Sequence, residues 1–228
     1  MPVKSRPGPG PGAVRALKVL LFLACLAPLG GLLLQTFGVA GLTLGANPVE
    51  ALLHSLGKWG LKFLLITLAV TPLRRLTGWS VLLRFRRMLG LFAFFYVLLH
   101  FLVYAGLDQR FALGPILEDV VERPYITIGM LALVMLIPLA VTSTNGMMRR
   151  LGRRWKKLHR LIYPIAILGV WHFYWQVKLD TLEPTVYAVI LAALLGFRLI
   201  DWRRRRGRRD AARPGSDHDR IAHPGRSL

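Results

Sequence analysis

Arg149–Trp175 reads RRLGRRWKKLHRLIYPIAILGVWHFYW, and its reading decides the fold. The stretch opens as a dense basic run, then from His159 to Trp175 it is apolar apart from Arg160. A run of about 20 apolar residues is what a helix needs to cross a bilayer. Taken as a membrane helix, it sets His159 near one face of the bilayer. His172, thirteen residues on, then lies roughly 20 Å deeper. An imidazole in hydrocarbon is costly without a partner, so each of these rings marks a candidate functional site.

Outward from that stretch the same pattern repeats. The chain has 228 residues, is 54% hydrophobic and carries a formal net charge of +20. Its apolar residues gather into six runs, Val14–Phe37, Val49–Pro72, Met88–Leu107, Tyr125–Thr142, Leu158–Val177 and Pro184–Ile200. Lys and Arg sit in short clusters between the runs, as membrane topology demands, so the basic excess does not point to a nucleic-acid binder. Cys25 is the only cysteine, which excludes an intrachain disulfide and a CxxC redox pair. Gly8, Gly10 and Gly12 mimic a nucleotide loop, but prolines separate them and no strand precedes them. No segment outside the runs is long enough for a soluble domain. A cleaved signal peptide competes for the first run, which is long for that role.

The predicted fold is an all-α integral membrane protein with six transmembrane helices in one bundle. Residues 1–13 read as a disordered tail, 14–200 as the six-helix domain, and 201–228 as a basic disordered tail holding His218 and His223. Six crossings put both termini on one side. The segments on that side carry Arg74, Arg75, Arg84, Arg86 and Arg87, then Arg149, Arg150, Arg153, Arg154, Lys156 and Lys157, then Arg203–Arg206. The opposite segments carry only Arg110, Arg123 and Lys178 among Asp108, Glu118, Asp119, Glu122, Asp180 and Glu183. Excess Lys and Arg marks the cytoplasmic side, so both termini are expected to be cytoplasmic.

With that orientation His100, in the third run, and His172, in the fifth, fall at similar depth in the outer half. Two imidazoles facing across a bundle are what bis-histidine ligation of a b-type haem requires. Gly169, one turn before His172, offers a close approach for a porphyrin. Phe92, Phe94, Phe95, Tyr96, Phe101, Trp171, Phe173, Tyr174 and Trp175 offer apolar walls, although aromatics at such places also face lipid. His159 has no histidine at its depth. It points some 140° away from His172 around an ideal helix unless Pro164 kinks or unwinds the helix. It is either a ligand alone, a ligand with a non-histidine partner, or an interfacial residue. Glu50, His54, Lys58 and Lys62 recur every four residues along the second run. Such a polar ladder suits haem propionates, a flavin phosphate or a quinone carbonyl, or else its lysines simply reach the outer headgroups.

Several stretches together resemble the MsrQ (YedZ) family: TPLRRLTG, RRMLGLFAFFYVLLH, RPYITIG, TSTNGMMRRLGRRWKKLHRLIY and HFYWQVK. The resemblance runs from about Ala46 to Arg198. It implies a ferric-reductase-like haem protein of the bacterial inner membrane. Such a protein takes electrons from the quinone pool, uses b haem and flavin mononucleotide (FMN), and acts without catalytic residues of its own. It forms a heterodimer with a periplasmic, molybdopterin-containing MsrP-type subunit that repairs oxidised methionines. The family's membrane histidines map onto His100, His159 and His172, with His54 beside them, and no flavin-site residue carries over. The competing readings are a self-contained cytochrome b-type quinol oxidase or ferric reductase, and a non-redox transporter or scaffold. A short, acidic-leaning outer face (108–123 and 178–183) is where a partner is expected to dock.

Overall fold

The computed structural model describes residues 9–177 and 181–211, all helix and connection without a strand among them. The main helices are α1 (Pro11–Thr36), α2 (Pro48–Thr77), α3 (Arg86–Val103, prolonged by a π turn at Tyr104–Asp108) and α4 (Leu113–Glu122). They continue as α5 (Pro124–Val141), α6 (Asn145–Leu151), α7 (Arg153–Leu158), α8 (Ile162–Gln176) and α9 (Leu182–Ala211). Pro11, Pro48 and Pro124 open three of these helices, where the missing N–H has no intrahelical partner to lose. Asn47 caps α2 by accepting the Glu50 N–H, and Gly78 closes it at φ 75°.

Among the described residues five helices are long and apolar enough to cross a membrane: α1, α2, α3 with its π turn, α5 and α9. The sixth expected span is built differently. Its fifteen α-helical residues rise about 22 Å, short of a hydrocarbon core of roughly 30 Å. A 3₁₀ turn at His159–Leu161 leads into it and adds about 6 Å. Leu158, His159, Leu161 and Ile162 all keep helical angles, so the chain runs on from α7 into α8 with its winding changed at that turn. Pro164 has no N–H to give the Arg160 carbonyl one turn back, and the 3₁₀ turn falls where that bond is missing.

The tails differ from expectation at their inner ends. Helix α1 begins at Pro11, inside the expected 1–13 tail, because proline is pre-set for a helix start. Helix α9 runs to Ala211, past the expected boundary at 201, because Asp201 holds Arg205 one turn along at 3.1 Å and also pairs with Arg75. Residues 1–8 and 212–228, with His218 and His223, lie outside the described residues, as do Lys178 and Asp180.

Helix α2 is the centre of the bundle, burying Leu56, Leu61, Phe63, Leu64, Leu65 and Leu68. Two close helix pairs stand out, α2 with α3 and α5 with α8. The first is possible because Gly60 is bare. A Cβ there would sit 2.7 Å from Val97 Cγ2 and 3.2 Å from the Val97 nitrogen. Helix α1 joins through Tyr96, whose fully buried hydroxyl donates to the Cys25 carbonyl at 2.8 Å and accepts the Leu29 N–H at 3.1 Å. Pro28 breaks the helical bond pattern at that point, and the hydroxyl re-satisfies the freed groups, as an environment without water demands.

Candidate functional site

Between the two close helix pairs lies a cavity of ≈ 270 Å³. His100 of α3 and His172 of α8 enter it from opposite pairs, with ring centroids 6.1 Å apart. Each ring is fixed in the same way. His100 Nδ1 donates to the Leu53 carbonyl of α2 at 2.9 Å, and His172 Nδ1 donates to the Tyr125 carbonyl of α5 at 2.7 Å. Among the described residues neither ring has a second hydrogen bond. A proton held at Nδ1 leaves the Nε2 lone pair free, and this is how a metal-ligating histidine is usually oriented and made more basic.

The glycines that permit this are Gly57 and Gly129, each four residues after the accepting carbonyl. A Cβ on Gly129 would lie 2.8 Å from His172 Nδ1, and one on Gly57 3.1 Å from His100 Nδ1. The chain thus uses one device twice: a bare spot on a helix, a ring laid against it, and the carbonyl one turn back holding the ring. Gly169, the glycine singled out by sequence, lines the cavity, where a Cβ would lie 3.4 Å from Leu61 Cδ1.

The walls are aliphatic, among them Leu61, Leu64, Val97, Leu133, Leu136 and Ile165. Of the nine aromatics expected there, only Phe101 and Phe173 line the cavity. Phe92, Phe95 and Tyr96 pack on one another, and Phe92 and Tyr96 also pack on Phe63, inside the α2–α3 contact. Trp171, Tyr174 and Trp175 are about half exposed and face outward, as residues do that meet lipid or its interface.

The polar groups gather at one end, nearest Asp108 and Arg123. His54 accepts from the Gln176 amide at 2.6 Å, and Lys58 pairs with Glu183 at 2.6 Å. Lys62 is not part of this rim; its ammonium sits over the Trp59 ring at 4.5 Å. Four-residue spacing turns about 40° past a full circle at each step, so the ladder winds off the cavity before it reaches Lys62. Arg123, Tyr104, Tyr125 and Gln176 complete the rim and were not marked by sequence. Arg123 bonds Asp119 at 3.1 Å, and the contact with Tyr125 and the Asp119 charge hold its pKa above the usual arginine value.

His159 stands elsewhere. Its ring stacks on Trp155 at 3.8 Å, Nδ1 donates to the Trp155 carbonyl at 3.1 Å, and Nε2 lies 3.4 Å from Ser143 Oγ. Arg86, half-buried, lies within electrostatic range of His159, Arg198 and Tyr163. Arg198 donates to Tyr163 Oη at 2.8 Å and to the Leu68 carbonyl, while its buried Nε has no partner. Among the described residues no second histidine faces His159.

The donor set suits a metal that brings its own equatorial ligands. Two metal–imidazole bonds of about 2 Å plus two ring radii come to about 6 Å, close to the observed 6.1 Å. A bare ion needs more donors, and no cluster of three or more His, Cys, Asp or Glu occurs among the described residues.

Comparison with known proteins points the same way. Residues 56–170 match the family model described as ferric reductase like transmembrane component. A protein of Rhodospirillum rubrum, named protein-methionine-sulfoxide reductase heme-binding subunit MsrQ, is 56% identical over 83% of this chain and 90% of its own length. The protein of that name from Xanthomonas euvesicatoria is 52% identical over 88% and 93% of the two chains. Its namesake in Xanthomonas campestris is 57% identical over 75% and 77%. No solved structure matches the chain.

Proposed function

Since this chain belongs to the MsrQ family, with its ferric-reductase-like transmembrane component, we propose that it is the haem-binding, electron-transferring subunit of a methionine sulfoxide reductase system. The observation that carries this reading is the facing pair His100 and His172, each with Nδ1 tied to a backbone carbonyl and Nε2 turned free. These two rings would hold b-type haem through their Nε2 atoms. Bound haem supplies a one-electron couple at the iron, tuned by its axial ligands and their hydrogen bonds.

The chain's own residues then do three things. Leu53 and Tyr125 fix the tautomer and basicity of the ligands. The aliphatic walls exclude water and lower the local dielectric, which favours electron transfer over side reactions. Lys58 and Arg123, each already beside one carboxylate, would supply positive charge toward the propionates at the polar end, and His54 would offer a hydrogen-bonding ring there. Lys62 has no place in this scheme. The chain itself carries no substrate chemistry, and repair of oxidised methionine falls to a molybdopterin-containing catalytic subunit.

Orientation follows from the arginine asymmetry: both termini in the cytoplasm of a bacterium, the His100–His172 pair toward the periplasmic face of the inner membrane, and the catalytic partner beyond it. Electrons come in from the quinone pool or through FMN at the arginine-rich end. There His159, Arg86 and Arg198 offer a ligand nitrogen and uncompensated positive charge, both suited to an anionic or quinoid group.

Reduced-minus-oxidised absorption spectra of membranes containing the chain test this directly. Wild type should give b-type bands, and His100→Ala or His172→Ala should abolish them. If wild type lacks the bands in haem-replete cells, or both variants keep them unchanged, the reading fails.

A further inference from the structure

Helix α4 connects two membrane spans, and its residues divide cleanly around its circumference. One side is fastened: the Asp119 carboxylate is buried, accepting from Tyr104 Oη and Gln109 Nε2, both at 2.9 Å, and pairing with Arg123. Thr127 also donates to the Val120 carbonyl. Tyr104 and Arg123 both line the haem cavity, so α4 is tied to the cavity's polar rim. A second side is apolar and bare. Leu113, Leu117 and Val121, spaced by four, are 75%, 65% and 82% exposed. Residues at that spacing form one continuous stripe. The third side carries the exposed acids Glu118 and Glu122.

The chain enters α4 through Arg110 and Phe111, both at positive φ (51° and 56°), a conformation that non-glycine residues adopt only when the surroundings enforce it. Here the Phe111 N–H donates to the Ala105 carbonyl at 2.6 Å and its ring lies against Gly106. The stripe is therefore held rigidly, beside the redox site.

Between Leu113 and Glu122 there are three acids and no base. An apolar core with a charged rim, held rigidly beside the cavity's polar end, is the anatomy of a protein–protein contact. We infer that the Leu113–Leu117–Val121 stripe, with Glu118 and Glu122 at its rim, is the seat of the electron-accepting catalytic subunit. The matching patch on that subunit is apolar and ringed by Lys or Arg. This rests on the function proposed above.

The test uses haem-loaded membranes of the full chain and its purified cognate catalytic subunit. It reads the rate at which the reduced b bands reoxidise once catalytic subunit and methionine sulfoxide are added. Leu117→Glu combined with Val121→Glu should raise the catalytic-subunit concentration needed for half-maximal rate by about tenfold or more, with band positions and haem content unchanged. Glu118→Lys with Glu122→Lys should weaken docking and flatten its salt dependence. Leu117→Cys should react with a membrane-impermeant maleimide and be protected by the catalytic subunit; the native Cys25 is buried.

Unchanged half-saturation in both double variants overturns the inference. So does a Leu117→Cys thiol that stays unreactive in partner-free membranes and reacts only in detergent, which would put the stripe in lipid. If haem-loaded wild type passes no electrons to the catalytic subunit, the proposed function itself falls and takes this inference with it. That outcome is seen before any variant is made.

Discussion

Substituting Gly129 by alanine is a one-methyl perturbation of the site. The added Cβ would lie 2.8 Å from His172 Nδ1 and 2.9 Å from Cε1, about 0.6 Å short of the 3.4 Å at which ordinary contact begins. Neither side yields easily, because the methyl is fixed to helical backbone and the atoms it meets belong to a rigid ring. Overpacking of this kind costs about 1–3 kcal/mol. A ring pushed off α5 also gives up most of its 2.7 Å bond to the Tyr125 carbonyl. Losing such an outer partner of a metal-ligating histidine typically costs about 10–100-fold in metal affinity. The imidazole becomes less basic, so the ferric state is less well supported and the midpoint potential should rise. Haem content of the purified chain at limiting haem, with a redox titration of the b bands, measures both effects. Gly57→Ala, at 3.1 Å from His100 Nδ1, should be milder. Gly90→Ala, whose nearest neighbour is Thr67 Cγ2 at 3.7 Å, should be silent. The reasoning is refuted if Gly129→Ala keeps full haem and an unchanged potential, or if Gly90→Ala is the more damaging.

Three further outcomes follow from the same geometry. Lys62→Ala should leave haem content and potential unchanged while Lys58→Ala shifts the potential, measured by redox titration; the reverse order would restore the four-residue ladder as a cofactor contact. Tyr96→Phe removes the hydroxyl that bridges Leu29 and Cys25 and leaves buried backbone groups unpaired, so thermal unfolding in detergent should show a loss of about 1–3 kcal/mol with the haem spectrum intact. Asp119→Asn should loosen Tyr104, Gln109 and Arg123 together, seen as faster hydrogen exchange in α4 while α2 and α3 stay protected.

Sequence showed the spans well, because their signal is composition summed over about twenty residues and neighbours cannot override it. The helix carrying His172 was the exception in detail. A proline that kinks a helix and one that only changes its winding look alike until the 3₁₀ turn at His159 is known. The pairing of His100 with His172 was legible from depth alone. What seats the rings was not, since Gly57 and Gly129 matter through contacts 43 residues away in sequence, between helices whose rotation the sequence leaves open. A faint signal was present: Leu53 with Gly57, and Tyr125 with Gly129, share one spacing on the helices that face the two histidines. Most of the expected aromatic walls failed for a related reason. Aromatics serve lipid contact, helix packing and cofactor walls equally well, so only the face of the helix decides.

The central claim is that His100 and His172 together hold one haem through their Nε2 atoms. Low-temperature electron paramagnetic resonance of the oxidised, purified chain, paired with haem quantification, tests it most directly. The account predicts a low-spin signal of bis-imidazole type that disappears in both His100→Ala and His172→Ala. A signal of the same type and amount surviving in the double variant would contradict it.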